Sequence, residues 1–404
     1  MSTSLLYHGF SLRGYDYLKT TFDDGQIIFA VRPKPGTLRC SACGRSDVIR
    51  HGEQQRTFQT VPIGSKRVLL TVGIPRLECQ QCGVIRQARL SFADTRRKYT
   101  KAFERHVLEL SQAMTIRDVA RQLGVGWDTI KDIQKRDLQR RFKKIRLCDL
   151  QQIAIDEISI GKGHRYVTIV LDLLSGAVVF IGEGKDALSW QPFWKQLKAS
   201  RARIRAVATD MSPAYIHAVQ ENLSGAVHVF DHFHVIKLFN EKLSDFRRTL
   251  YHEAIGPLDK KVLKGTRWLL LKNPENLDPK HHERERLAEA LKLNQPLAIA
   301  YYLKEDLRQI WSQSDRAEAA RVLDDWVRRA EATSIRMLQK FACTLALSRS
   351  AILNYYQYRI STGPLEGTNN KIRTMQRQAY GFRDQEFFRL KIFALHETKY
   401  ALIG

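Results

Sequence analysis

"IAIDEIS", residues 153–159, sets a carboxylate, Asp156, directly after an apolar run that reads as a core strand. "VATDMSP", residues 207–213, repeats the pattern, with Asp210 ending a second apolar strand ahead of a polar loop. Aspartate is disfavoured inside strands, and a buried charge is costly without a partner. One such residue is an ordinary strand-end cap. Two on apolar strands of one sheet point to a shared cation, which offsets their mutual repulsion. Around them run "QQIAIDEISI", "RYVTIVLDLLSGAVVFIGEG", a helical "ALSWQPFWKQLKAS", "IRAVATDMSPAYIHAVQENL" and "AVHVFDHFHVIKLFN". Three strands, a helix, a strand, a helix and another strand predict a mixed α/β sheet with helices on its faces.

A third acid stands in "STGPLEGTNN", residues 361–370. Gly363 as N-cap, Pro364 at the first helical position and Glu366 in the first turn would make Glu366 a helix opener, satisfying orphan amides and the dipole. Beside the two strand aspartates it reads instead as a third metal ligand. Glu366, Asn370, Arg373 and Arg377 recur on one polar face, with Leu365, Ile372, Met375 and Ala379 packed behind. A solvated face is the alternative for the arginines.

The chain has 404 residues and carries 66 Lys and Arg against 42 Asp and Glu, a net charge of +24. A field of that size favours a polyanion, nucleic acid first. Ribosomal proteins share such charge but are usually shorter, and a membrane-surface protein would carry an amphipathic basic helix. No apolar run approaches a membrane span, and the opening residues lack the basic flank and apolar core of a secretory signal, so a cytoplasmic protein with no membrane partner is expected.

Six cysteines fall as "CSACG" (Cys40, Cys43), "CQQCG" (Cys79, Cys82) and the singles Cys148 and Cys343. Two C-x-x-C knuckles, each followed by a glycine that permits the tight turn, predict one structural Zn²⁺ held by four thiolates. The 35 residues between Cys43 and Cys79 call for a small sheet between the knuckles. "DYLKTTFDDGQIIFAVR" reads as two strands around a D-D-G turn, so residues 1–93 form a zinc ribbon. Cys148 and Cys343 are expected to be small buried hydrophobes.

From Tyr99 the period becomes helical. "TIRDVARQLGVGWDTIKDI" places Ile116, Ala120, Gly124, Ile130 and Ile133 where a helix-turn-helix needs them, in a segment 94–146. Its second helix, from about Trp127, would present Thr129, Lys131, Lys135, Arg136, Arg140 and Arg141 to DNA. A generic helical hairpin is the alternative, but this segment holds 15 Lys and Arg against 7 Asp and Glu. Beyond the sheet, residues 240–350 read as an all-helical insertion between core parts 147–239 and 351–404. Trp268 and the insertion's other aromatics are expected in its core.

Taken together, "CSACG", "CQQCG", "IAIDEISIGKGHRYVTIVLD", "VATDMSPAY", "VFDHFHVIKLFN", "KGTRWLLLKNPENL" and "GPLEGTNNKIRTMQRQAYGF" resemble the DDE transposases of bacterial insertion sequences, in their ISL-three branch. The resemblance covers nearly the whole chain and is weak only over the opening 30 residues. It implies a multidomain α+β protein: zinc ribbon, helix-turn-helix, and an RNase H-like core interrupted by a helical insertion. It implies a catalytic triad of Asp156, Asp210 and Glu366 holding two Mg²⁺ (or Mn²⁺) ions for strand cleavage and strand transfer at terminal inverted repeats, with a homodimer on the DNA. By the same resemblance, Asn369, Asn370, Lys371 and Arg373 would contact DNA phosphates. Asp231, His232 and His234 in "DHFHV" would support substrate or metal waters, or else form a capped strand-to-helix junction. Two other functions share these parts: an RNase H-like nuclease or resolvase, and a domesticated DNA-binding regulator.

Overall fold

The computed structural model describes residues 5–161, 165–184 and 187–397; Lys162–His164 of the first strand motif lie outside them. They fall into two units, one running up to Lys143 with Thr374–Leu390 and Glu397, the other comprising Lys144–Arg373 with Lys391–His396. The segment read as 351–404 is therefore divided between them. No described helix is long and apolar enough to cross a membrane.

The first unit opens with α1 (Leu5–Phe10), then β1 (Tyr15–Asp23), β2 (Gln26–Pro33), β3 (Val48–Ile63), β4 (Lys66–Cys79) and β5 (Ile85–Gln87), in sheet order β1-β2-β4-β3 with β5 on β4. The expected D-D-G turn joins β1 to β2, with Asp24 and Gly25 both at positive φ. In β4, Val68, Leu70 and Val72 alternate inward and are fully buried against Phe58, which meets Phe92 edge-on at 5.4 Å. The long β3–β4 hairpin accounts for the distance between the knuckles.

The helix-turn-helix comprises α2 (Lys101–Leu110), α3 (Ile116–Leu123) and α4 (Trp127–Arg141). The Thr115 hydroxyl caps α3 by accepting from the Asp118 amide at 3.2 Å, and Gly124 at φ 62° ends it, a conformation glycine adopts without a Cβ clash. Ala120, Ile130 and Ile133 are buried as the motif requires. Ribbon and helices form one body: Thr100 donates to Thr60 at 3.1 Å, and Gln59 Nε2 donates to the Leu123 carbonyl at 2.8 Å, all in buried positions.

The second unit holds β6 (Gln152–Gly161), β7 (Arg165–Asp172), β8 (Val178–Glu183), α5 (Gln191–Ser200), β9 (Ala206–Thr209), α6 (Pro213–Asn222) and β10 (Val227–Phe230). Its sheet order is β10-β9-β6-β7-β8, antiparallel from β6 to β8 and parallel from β6 through β9 to β10. This is the RNase H-like arrangement. Ile153, Ile155 and Val207 pack on the α5–α6 side, where Trp190 stacks on Tyr215 with ring centroids 4.3 Å apart.

α7 (His232–Glu253) leaves β10 unbroken through position 240 and leads into α8 (Pro257–Gly265), α9 (Arg267–Leu271), α10 (Glu283–Leu293), α11 (Gln295–Gln309), α12 (Arg316–Glu331), α13 (Arg336–Leu347) and α14 (Arg349–Leu353). Phe239, Trp326 and Phe341 meet edge-on at its centre. Trp268 departs from expectation: it is 66 % exposed, on a five-residue helix too short to bury both faces. Lys304 is fully buried, and its ammonium donates to the Leu270 and Lys272 carbonyls and pairs with Glu305, so the C-terminal end of α9 is satisfied by a side chain. The two single cysteines also depart from expectation. Cys148 and Cys343 are both exposed, because their neighbours Leu147 and Ala342 take the inward positions. The chain returns through α15 (Gly363–Gln378) and α16 (Gln385–Phe393).

Candidate active site

The parallel ladders decide where the acids stand. Ala154 pairs with Ala208, and Phe230 with Thr209, so Asp156, inside β6 opposite Ile169 of β7, stands level with Asp210 and Asp231, which directly follow β9 and β10. The Asp231 amide extends the ladder by donating to the Thr209 carbonyl at 3.1 Å. Burial raises the Asp156 carboxyl above its usual range; His234 opposes this and the nearby Asp210 adds to it. Asp210 accepts from the Ser212 amide at 2.8 Å, which fixes its carboxylate at the entry to α6.

Beside Asp210, the His228 ring lies 2.7 Å from the Thr209 hydroxyl, which itself donates to the Asp210 carbonyl. Burial pushes His228 down to about 4. An unfolded histidine titrates near 6.5, so between those values the unfolded chain binds the extra proton. Stability is therefore expected to be complete above about pH 6.5 and to fall towards pH 4, by up to about 3 kcal/mol. Denaturant titrations of wild type and His228→Gln across that window check it, the variant showing a flatter pH slope.

α15 brings the third acid. Gly363 is the first helical residue and not the cap, because the Glu366 amide already donates to the Thr362 carbonyl at 2.8 Å. The Glu366 side chain is half-buried and makes no hydrogen bond or ion pair among the described residues. Thr362 turns its hydroxyl away from the helix and donates to Asp231 at 2.7 Å. Asp231 is 1 % exposed and makes no side-chain cap to α7. Burial would raise its carboxyl, but hydrogen bonds from His232 and Thr362, with the charges of His232 and His234, bring it below the usual range. It ties the start of α15 to β10.

Asn369 corrects an expectation. Predicted to face DNA, it is 3 % exposed and donates from Nδ2 to Asp156 at 3.0 Å, because its place three residues after Glu366 turns it to the sheet side of the helix. Its Oδ1 is buried without a hydrogen-bond partner among the described residues. Asn370, Lys371 and Arg373 are exposed, Arg373 donating to Asn370 at 3.2 Å. Asp156, Asp210 and Glu366 are not gathered as closely as a single-ion cage. Among the described residues, the only group of three or more His, Cys, Asp and Glu residues whose ligand atoms all lie within 4.8 Å of one another is the four ribbon cysteines. Three carboxylates repel one another, and the orphaned Asn369 oxygen next to Asp156 suits a hydrated divalent cation.

The cysteines fit zinc directly. Cys40 and Cys82 sulfurs lie 3.7 Å apart and those of Cys43 and Cys79 3.5 Å, close to the edge of a tetrahedron with 2.3 Å Zn–S bonds and far beyond a disulfide. Gly44 and Gly83 take positive φ after each knuckle. Backbone amides of Cys43 and Ala42 lower the Cys40 thiol to about 6; Cys82, despite the Val84 amide, is pushed up to about 12 by burial and its neighbouring sulfurs. Four clustered thiols cannot all ionise unaided, and a dication removes that obstacle.

On α4 the basic residues are largely engaged by the protein itself. Lys131 and Lys135 each pair with Asp384 at 3.0 Å, and Lys135 also with Glu386 at 2.7 Å. Although burial opposes it, the Phe387 amide and these lysines hold the Asp384 carboxyl well below its usual range. Arg136 pairs with Glu104 at 2.7 Å, Arg141 with Glu397, and exposed Arg140 with Asp137 at 2.6 Å. Thr129 stays half-exposed near the helix start. Nothing in the α4 sequence announces these partners. The only signal lay in "RDQE", where Asp384 caps α16 by accepting from the Phe387 amide at 3.0 Å.

An RNase H-like core with acids at one level of its parallel strands, in one chain with a zinc ribbon and helix-turn-helix, defines a transposase. Residues 153–392 match a transposase family, 88–137 the helix-turn-helix domain of transposase family ISL3, and 37–82 the zinc-finger of transposase IS204/IS1001/IS1096/IS1165. The chain belongs to the ISL3 family of transposases. It is 33 % identical over 385 residues, 94 % of both chains, to the transposase for insertion sequence element IS1001 of Bordetella parapertussis. It is 31 % identical over 390 residues, 90 % of this chain and 87 % of the other, to the transposase for insertion sequence element IS1557 of Mycobacterium tuberculosis. Among solved structures, a Drosophila P element transposase strand transfer complex aligns with TM-score 0.40 and 12 % identity, over 76 % of this chain and 94 % of that one.

Proposed function

We propose that this transposase binds the terminal inverted repeats of its own insertion sequence and performs metal-dependent strand cleavage and strand transfer, with Asp156, Asp210 and Glu366 as ligands of two Mg²⁺ or Mn²⁺ ions. The observation that carries the reading is the buried brace between sheet and helix: Asn369 to Asp156 and Thr362 to Asp231, which set the helix bearing Glu366 against the strand ends. Bound there, two hard cations would activate the attacking hydroxyl and stabilise the departing oxygen of an in-line displacement. The protein's own part is to orient the carboxylates. The charge of His234 partly offsets the burial of Asp156, Ser212 fixes Asp210, and Asn369 holds one oxygen of Asp156. No side chain serves as covalent nucleophile.

The exposed Asn370, Lys371 and Arg373 lie one helical turn or two from Glu366, where they would meet the phosphates of the strand being cut. Thr129 and Arg140 would contact the repeat through α4. A homodimer on DNA would hold two ends together in the cytoplasm, on the chromosome. Incubating the protein with labelled DNA carrying the element's ends, with and without Mg²⁺, and mapping the cuts tests the reading. Cuts at the repeat termini that proceed to joining support transposition. Metal-dependent cutting without joining assigns the chain to the nucleases, and end binding without cutting to the regulators.

A further inference from the structure

A groove of about 630 Å³ in the first unit is lined by Ser41 of the first zinc knuckle, Lys101 at the start of α2, Arg56, Arg86 and Arg89, with Asp94 as its acid. Two of these cations are internally committed. Arg56 donates to the Arg97 carbonyl at 2.7 Å, and Lys101 pairs with Asp94 at 3.5 Å. Arg86 and Arg89 are exposed, and their side chains make no hydrogen bond or ion pair among the described residues. They are also rigidly presented. Arg86 stands opposite Leu77 in the β4–β5 ladder, and the intervening Ala88 amide donates to the Pro75 carbonyl at 2.9 Å.

Unpaired guanidinium groups lining one concave surface, whose acid Asp94 is already paired with Lys101, gain most when an anion enters. Because their backbone is already fixed, binding has to order only the two side chains. The groove belongs to the same body as the helix-turn-helix, through the buried Gln59–Leu123 and Thr60–Thr100 bonds. On α4 itself, Lys131 and Lys135 are occupied by Asp384 and Glu386, so unpaired positive charge in this unit is concentrated in the groove more than on that helix.

We infer that this groove is a phosphate track for the duplex that the helix-turn-helix reads, with Arg86 and Arg89 each neutralising one phosphate; the inference rests on the DNA binding proposed above. The track reads charge and not bases, so it adds affinity for any duplex and leaves the choice of sequence to α4.

The test uses the full chain and fluorescent duplexes, one carrying the element's end and one of unrelated sequence. Affinity is measured over a series of salt concentrations for wild type, Arg86→Gln/Arg89→Gln and Arg86→Lys/Arg89→Lys. At about 0.9 per phosphate, the glutamine pair is expected to reduce the slope of log K against log salt by about 1.8 on both duplexes. Its melting temperature, zinc content and preference for the end should equal those of wild type. The lysine pair should restore the slope, because charge is kept. An unchanged slope in the glutamine pair overturns the track, as does a lost end preference at unchanged slope, which would make these residues base readers. Tighter binding of an RNA duplex of the same sequence than of DNA would assign the groove to RNA and overturn it too. Wild type that binds both DNA duplexes equally overturns the end-binding function while leaving the slope comparison intact, so the two failures are distinguishable.

Discussion

Glu366→Gln is expected to keep the fold and the DNA complex and to abolish Mg²⁺-dependent cleavage and joining. The substitution preserves size and shape but replaces a charged hard ligand with a neutral amide that coordinates a divalent cation poorly. Affinity for DNA should hold or rise, since one negative charge leaves a surface near phosphates. Fold stability should change by no more than a few tenths to about 1 kcal/mol, the size of a first-turn dipole contribution. The structure gives that small figure its reason: the Glu366 amide is already bonded to Thr362, and its carboxylate serves no other group among the described residues. Melting curves and cleavage of pre-bound ends are to be measured on the same preparation. Full turnover by the variant would return Glu366 to a helix-opening role and remove the triad.

Cys79→Ser is expected to release zinc and unfold the ribbon, taking end recognition with it. Cys79 is 1 % exposed and closes β4, so its sulfur joins the metal to the longest hairpin of the sheet. Structural zinc contributes on the order of 10–16 kcal/mol in small zinc-finger domains, more than a small sheet recovers by burial alone. Zinc content, far-UV circular dichroism and end binding are the readouts. Chelated wild type should reproduce the variant and recover on adding zinc. A chelated protein that keeps its melting curve and its end preference would show that the four sulfurs are not a folding element.

Several parts of this molecule were readable because their signals are local. An aspartate after an apolar strand, a glycine after each C-x-x-C, and the Ala120, Gly124, Ile130 spacing each express a constraint spanning a few residues. Strand, knuckle and helix-turn-helix followed from periodicity and turn chemistry, as did the catalytic candidates Asp156 and Asp210. Glu366 was legible only beside them. A lone first-turn glutamate has the same local pattern as a cap, and only the two strand aspartates elsewhere in the chain set it apart.

What the tertiary structure alone decided are the partners of polar side chains. Asn369 meets Asp156 across 213 residues, Thr362 meets Asp231 across 131, and Lys135 meets Asp384 across 249. Two of them had another reading in the sequence: Asn369 as a phosphate contact and Lys135 as a DNA-facing lysine. A short polar side chain takes whichever partner the folded chain brings within about 3 Å, and burial then makes that bond obligatory because an unsatisfied group is costly. The same reason turned Asn369 from the DNA face to the side chain of Asp156 and closed the lysines of α4 against an acidic turn. It also left Arg86 and Arg89, unremarkable in the sequence, as the unpaired charges of the first unit's groove. Periodicity is written in neighbouring residues and so determines which elements form. Pairing depends on how distant elements are brought together, which only the closed fold specifies.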